Sequence, residues 1–116
     1  MVSANFARHE FECKCGCGYD TVDVGLIRVL QKMRKHFNKQ VFITSGCRCM
    51  AHNERVGGGQ RSQHLIGRAA DVIVQNVDPD DVADWIDSTW PVSLGLGRYS
   101  TFTHIDSRNT KARWNG

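Results

Sequence analysis

One segment of the sequence carries a histidine and an aspartate at a spacing that suits metal binding. His64 and Asp71 are seven residues apart in HLIGRAAD, with a predicted loop at the histidine and a predicted strand beginning at the aspartate. Catalytic zinc takes three protein ligands, commonly His, Asp, Glu or Cys, and keeps a fourth position for water. The small residues Gly67 and Ala69 permit the chain to double back, so that both side chains reach one point. The segment therefore predicts two ligands of one metal site.

A third candidate ligand, His104, lies near the other end of the chain in the strand-like run FTHID. Side chains alternate across a strand, so we expect His104, Phe102 and Asp106 on one face, with Thr103 and Ile105 on the other. Asp106 then lies beside the candidate ligand and is a candidate general base for the attacking water. The alternative is that Asp106 only orients groups around the metal, as outer carboxylates often do.

Several stretches of the chain resemble one family of zinc peptidases. The pattern SxHxxGxAxD, which begins at Ser62 and ends at Asp71, resembles the zinc D-alanyl-D-alanine carboxypeptidases and L-alanyl-D-glutamate endopeptidases of the Hedgehog/DD-peptidase fold. TSGCRC resembles the family's strand end that carries an arginine, and GLGRYSTFTHID resembles its second-histidine strand. The match extends from NFARHEFECKCGCG to the terminal KARW, in the compact branch found in phages and prophages.

The resemblance implies that His64, Asp71 and His104 bind one catalytic zinc ion. It also implies that Arg48 steadies the carboxylate of the substrate or the developing oxyanion, which a guanidinium can do. Arg48 has a plainer alternative as a structural ion-pair partner. The chain departs from better-known members at Thr101, where they carry an acidic general base three residues before the second histidine. Threonine cannot take that role, and Asp106 is either the substitute base or a residue that only orients groups around the metal.

The activity implied by the resemblance is hydrolysis of an amide bond in the stem peptide of peptidoglycan. The bond is either a terminal D-Ala linkage or an internal link such as L-Ala to D-Glu. Ser62 and Tyr99 are further candidates for contact with that substrate, although an aromatic such as Tyr99 is also typical of a core or rim position.

Two other functions remain open from the sequence. The missing acidic residue at Thr101 fits a non-catalytic zinc module that binds cell-wall peptide or a protein partner. The cysteine clusters and basic balance fit a nucleic-acid-binding zinc domain, but no aromatic and basic stacking face is visible. We therefore expect a monomer whose partner is a peptidoglycan stem peptide, rather than nucleic acid or a membrane.

Length and composition indicate one soluble domain, residues 1–116. The chain has 116 residues and 41% hydrophobic residues, enough for a single core, and its net charge of +3 suits an acidic polymer without identifying it. No apolar stretch is long enough to span a bilayer, and MVSANFARHEFE lacks the apolar centre of a secretory signal. We expect synthesis in the cytoplasm and release to the wall by another route, as phage lysis proteins use.

The five cysteines fall into two clusters, CKCGC and CRC, and an odd number cannot all pair within one chain. Cys-x-Cys differs from the Cys-x-x-Cys of common zinc knuckles. Thiols, or a disulfide between the clusters, are therefore favoured over a second, structural metal site. Cys47 and Cys49 flank Arg48 and are candidates for fixing that strand end.

The elements that must position these residues form an α+β domain. Helical periodicity runs from Asp23 to Phe37 with Asp23 as N-cap, and Asp78 with Pro79 opens a second helix. A short helix is predicted from residue 50 to 56, ending at the triple glycine of residues 57–59. Strands are predicted at residues 41–44, 71–74, 94–99 and 102–105. Connections are too short for regular parallel crossovers, so we expect a small, mainly antiparallel sheet with helices packed on it.

Overall fold

The computed structural model describes residues 5–18, 22–56 and 62–116. The helices and strands of that part, in chain order, are α1 (Val24–Phe37), β1 (Val41–Ser45), α2 (Met50–Arg55), β2 (Ala69–Val74), α3 (Pro79–Thr89), β3 (Gly95–Arg98), β4 (Thr103–Asp106) and β5 (Ala112–Asn115). Two 3₁₀ turns, Arg8–Phe11 and Gln63–Ile66, complete the fold. The α+β prediction is confirmed. The triple glycine expected to end α2 lies outside the described residues.

Both long helices begin where an aspartate can cap them. The carboxylate of Asp23 accepts a hydrogen bond from the backbone N–H of Leu26, and that of Asp78 accepts one from Asp80. Such caps satisfy N–H groups that have no partner inside the helix. Asn38 follows the last residue of α1 as its C-cap and adopts the left-handed conformation at φ 51°.

The five strands form one sheet in the order β1-β2-β4-β3-β5. The first three pairings are antiparallel, whereas β3 and β5 run parallel, so the sheet is mixed. Strand β5 was not predicted, and β2 begins at Ala69 rather than at Asp71. Ala69 and Ala70 carry no alternating hydrophobic signal, yet they pair with Asp106 and Ile105 of β4. This pairing extends the strand two residues upstream of the prediction.

One face of the sheet is the hydrophobic core. Ala70, Ile105 and Leu96 are opposite one another on β2, β4 and β3, and all three are fully buried. Leu30 of α1 and Ile86 of α3 belong to the same buried cluster. The helices therefore cover this face, and the alternate residues of the same strands point to the other face, where polar side chains are available for a site.

The N-terminal arm, residues 5–18, is docked against the rest of the domain. Phe6 and Phe11 are buried, and the backbone N–H of Cys47 donates to the carbonyl of Phe11 at 3.0 Å. The arm is thus joined to the segment that follows β1. Within the described residues, no helix has the length and apolar character needed to cross a bilayer.

Candidate metal centre

Two of the candidate ligands lie side by side at the centre of the sheet. Asp71 of β2 is the direct antiparallel partner of His104 on β4, so both side chains leave the same face. The Nδ1 atom of His104 is 3.0 Å from Oδ1 of Asp71. Both residues are buried. The predicted convergence of these two residues from distant parts of the sequence is therefore present in the structure.

His64 reaches the same point from the 3₁₀ turn before β2. The hydroxyl of Ser62 accepts a hydrogen bond from the backbone N–H of His64 at 3.2 Å, which caps the turn. The Nδ1 atom of His64 is 2.6 Å from the carbonyl oxygen of Gly46, and a carbonyl only accepts, so Nδ1 carries the proton. Nε2 is then a lone-pair donor, and it lies 3.4 Å from Oδ1 of Asp71.

The surroundings of His64 and the separations of the three candidate ligands indicate a metal site. The Nε2 atom of His64 is buried and has no hydrogen-bond partner in the described part of the chain. A buried polar atom without a partner costs free energy, which a metal bond would offset. One ligand atom from each of His64, Asp71 and His104 lies within 4.8 Å of the others. Two imidazoles and a carboxylate are ligands that zinc accepts, so the residues fit the ion.

The charge states of the ligands also suit a cation. Burial alone would raise the pKa of Asp71, but the hydrogen bond from His104 holds that pKa well below its usual range. Burial alone would lower the pKa of His104, whereas its hydrogen bonds with Asp106 and Asp71 raise it. In the metal-free protein, Asp71 is therefore an anion between two histidines, and a divalent cation would replace the proton that lies between Nδ1 of His104 and Asp71.

Asp106 is fully buried next to His104, and both of its carboxylate oxygens have hydrogen-bond partners. Its Oδ2 atom lies 2.9 Å from Nε2 of His104, and Oδ1 accepts hydrogen bonds from Gly95 N–H and from Nε of Arg108. Arg108 also donates from Nη2 to Oδ2 at 2.8 Å. Burial raises the pKa of Asp106, but the hydrogen bonds from His104 and Arg108 lower it to about 2. The carboxylate thus stays ionised and holds the imidazole in place.

Arg48 lies at the edge of the centre. Its Nη2 atom is 3.4 Å from Oδ2 of Asp71, Nη1 donates to Oδ1 of Asn53, and Nε donates to the hydroxyl of Ser45. The backbone N–H of Arg48 donates to the carbonyl of His64 at 2.9 Å. The guanidinium is therefore directed towards the candidate metal and is held there by β1 and α2.

The other candidate residues occupy different places. Ser62 caps the turn that carries His64. Tyr99 stacks on Phe102, with ring centroids 4.4 Å apart, and its hydroxyl accepts from Nε1 of Trp114. Thr101 is exposed in the turn between β3 and β4, and it lines a cavity of about 290 Å³ with residues of β2 and α3.

Two residues that contact the centre were missed by the sequence analysis. The ring of Trp114 on β5 lies 5.0 Å from that of His104, and Arg108 lies over the Trp114 ring at 5.5 Å. Gly97 of β3 lies between His104 of β4 and Trp114 of β5, and a Cβ there would approach Nε1 of Trp114 to 2.6 Å. The indole therefore reaches His104 because the intervening residue has no side chain. The signal was a tryptophan in the terminal KARW, which no strand prediction covered.

Two imidazoles and one carboxylate around a single point, beside a guanidinium, form the donor set of a mononuclear zinc hydrolase. A family model of peptidase M15 matches residues 4–106, and the chain therefore belongs to the peptidase M15 family of zinc-dependent peptidases. This match confirms the resemblance seen in SxHxxGxAxD and FTHID. A comparison with curated proteins found no match.

Proposed function

We propose that this protein is a zinc peptidase that hydrolyses an amide bond in the stem peptides of peptidoglycan. The observation that carries the proposal is the buried Nε2 atom of His64, which has no hydrogen-bond partner among the described residues and faces Asp71 and His104. These three residues would hold the ion through Nε2 of His64, a carboxylate oxygen of Asp71 and Nδ1 of His104. Bound there, zinc supplies Lewis-acid activation of the scissile carbonyl and of a water nucleophile.

The neighbouring side chains divide into positioning and binding roles. Asp106 accepts from Nε2 of His104, which fixes the tautomer that leaves Nδ1 for the metal. We therefore assign Asp106 a positioning role, the alternative that the sequence left open beside general-base catalysis. Arg48 supplies a positive charge next to Asp71, where it suits the terminal carboxylate of a substrate or the oxyanion of the tetrahedral intermediate.

The sheet itself offers a substrate path across the centre. Arg48 follows β1 at one side, and Trp114 stands on β5 at the other side, with Asp71 and His104 between them. The indole N–H of Trp114 donates to the hydroxyl of Tyr99, and the Tyr99 ring stacks on that of Phe102. A peptide laid over the centre would meet a cation at one end and half-buried aromatic rings at the other. This supports Tyr99 as a substrate-side residue, whereas Ser62 acts through His64.

The surroundings of Asp106 support a second candidate function, a non-catalytic zinc module. The carboxylate of Asp106 is fully buried and hydrogen-bonded at both oxygens, and Thr101 takes the place of an acidic base. A non-catalytic zinc module that binds wall peptide would need neither group as a base. This alternative keeps the metal ligands and the substrate path but loses bond cleavage.

One experiment separates the two functions and identifies the bond. Purified peptidoglycan fragments are incubated with the zinc-loaded protein, with the chelated protein and with a His104→Ala variant purified in the same way. We expect new products by mass spectrometry only in the first sample, and their masses distinguish loss of a terminal D-Ala from an internal cut. Intact fragments that nevertheless co-sediment with the protein would overturn the peptidase proposal in favour of the binding module.

The biological setting is part of the same proposal. A compact zinc peptidase of this type suits a phage or prophage lysis enzyme that acts as a monomer on the cell wall after leaving the cytoplasm through a pore made by another protein. The net charge of +3 supports attraction to the acidic wall. Lysis of bacteria when the protein is co-expressed with a pore-forming protein, and survival without that protein, would test this setting.

A further inference from the structure

A second group of ligand-type side chains lies outside the peptidase centre. The sulfur atoms of Cys13, Cys15, Cys17 and Cys49 all lie within 4.8 Å of one another. Three of them come from the N-terminal arm, and Cys49 comes from the segment after β1. The two cysteine clusters of the sequence therefore meet in space, although the sequence favoured thiols or a disulfide over a metal site.

The separations fit a tetrahedral tetrathiolate. With Zn–S bonds of about 2.3 Å, tetrahedral geometry places neighbouring sulfurs about 3.8 Å apart. Cys13 and Cys15 have Sγ atoms 3.4 Å apart, and Cys15 and Cys49 have theirs 3.6 Å apart. A disulfide would require about 2.05 Å. The group is thus too open for covalent pairs and close to the spacing that one ion imposes.

The arm is shaped to present alternate cysteines to one point. Gly16 and Gly18 adopt left-handed backbone conformations, with φ of 82° and 89°, which only glycine enters without strain. The N–H of Gly16 closes a turn onto the carbonyl of Cys13 at 3.2 Å. The turn allows cysteines at Cys-x-Cys spacing, which differs from the Cys-x-x-Cys of common zinc knuckles, to approach one point.

The fifth cysteine has a different role, which resolves the odd count. The thiol of Cys47 is buried and donates to the carbonyl of Phe11 at 3.0 Å. The sulfur of Cys13 accepts a hydrogen bond from the backbone N–H of Cys49 at 3.4 Å, a contact that suits a thiolate. Four sulfurs therefore face one another, and the remaining one joins the arm to the core.

We propose that Cys13, Cys15, Cys17 and Cys49 bind a second, structural zinc ion. The four ligands come entirely from the protein, as in closed structural sites, so this ion takes no part in hydrolysis. It cross-links the arm to the segment that carries Arg48, whose backbone in turn holds the carbonyl of His64. The ion would thereby stabilise the wall of the peptidase centre. The proposal is independent of the proposed enzymatic activity.

Metal content tests the proposal directly. The full chain is purified under reducing conditions, loaded with Zn²⁺, freed of loosely bound metal and analysed by elemental mass spectrometry. We expect two zinc ions per chain in the wild type and in Cys47→Ser, and one in the double variant Cys15→Ser/Cys17→Ser and in His64→Ala. Cys47→Ser is the matched control, because it removes a neighbouring thiol while its hydroxyl can still donate to Phe11.

Cobalt substitution keeps the test decisive if the double variant folds poorly. In the folded His64→Ala protein, Co²⁺ should give strong thiolate-to-metal charge-transfer absorption and the intense visible bands of a tetrahedral site. Zinc should also protect four thiols per chain from alkylation until a chelator is added. A wild-type zinc content that the double variant Cys15→Ser/Cys17→Ser retains in full, no sulfur charge transfer in cobalt-loaded His64→Ala, or a disulfide among these cysteines in the reduced, zinc-loaded protein would each overturn the proposal.

Discussion

The Nε2 atom of His104 lies 2.9 Å from Oδ2 of Asp106, and the arrangement places the other ring nitrogen 3.0 Å from Asp71. The imidazole is held between two carboxylates, one of which is anchored by Arg108 and by the backbone of Gly95. Because a ring nitrogen that donates a proton cannot bind a metal, the pairing with Asp106 determines which nitrogen is available. This relationship makes the metal site dependent on a residue that does not touch the metal.

Asp106→Asn should weaken zinc binding at the peptidase centre by roughly 10- to 100-fold, as loss of such outer carboxylates does. The amide keeps the size of the side chain but has one acceptor oxygen in place of two, and its NH₂ group can only donate. Competition with a chromophoric chelator would measure the affinity. Asp87→Asn is the control, because Asp87 pairs with Arg113 through a similar contact and lies on α3.

The same variant separates the two roles of Asp106. A general base would be required for a normal kcat but not for zinc binding. An Asp106→Asn protein with normal zinc affinity and a greatly reduced kcat would contradict the positioning role and restore Asp106 as the base.

Arg48→Ala should lower kcat by on the order of 100-fold or more, since oxyanion donors have effects of that size. Zinc content should stay at the wild-type level, because the guanidinium donates to Ser45, Asn53 and Oδ2 of Asp71 and is not itself a ligand. Steady-state kinetics on a stem-peptide fragment would measure both kcat and KM. Arg98→Ala is the control, as Arg98 forms its ion pairs with the exposed Asp84 and Asp80. An unchanged kcat would leave Arg48 with a purely structural ion pair.

Zinc should stabilise the protein through His64. An ion present at 100 times its dissociation constant adds about 2.7 kcal/mol to the free energy of unfolding of a protein that binds it only when folded. Thermal or denaturant unfolding with and without zinc would measure this gain, and His64→Ala should lose the part that belongs to the peptidase centre. His36→Ala should keep the full gain, because His36 is exposed and stacks on Trp85 of α3. Equal gains in both variants would exclude His64 as a ligand.

Local signals in the sequence predict the helices and four of the five strands that the structure describes. They also predict the side of the sheet on which each candidate residue lies. Asp23 and Asp78 are capping residues, and alternation in FTHID placed Asp106 beside His104 correctly. Strand β5 gave too weak a signal, because ARWN alternates over only four residues and has no β-branched residue, and it pairs through its backbone with Gly95 to Arg98. The contacts of Arg108 and Trp114 with the centre depend on that pairing.

Acid should destabilise the metal-free protein through Asp106. Its pKa is lowered from 3.8 to about 2, so the unfolded chain binds a proton more readily than the folded one. The resulting stability is present above about pH 4 and is lost as the pH falls towards 2. Asp71, with its pKa also lowered, adds to the loss in the same direction. Denaturant unfolding between pH 5 and pH 2 would measure the slope, and Asp106→Asn should reduce it. The same slope in the variant and in the wild type would contradict this account.

Trp114→Ala should raise KM for the stem peptide with little change in zinc affinity. The indole packs on the ring of His104 but offers no atom that could bind zinc, and its N–H donates to the hydroxyl of the half-buried Tyr99. Trp114→Phe should recover part of the binding, because a ring remains above Gly97 while the hydrogen bond to the tyrosine hydroxyl is lost. Kinetics with fragments of increasing length would measure the effect, which should grow as the fragment becomes long enough to reach β5. A KM that stays constant for every fragment, or a zinc affinity that falls as far as in Asp106→Asn, would show that Trp114 supports the metal centre rather than the substrate.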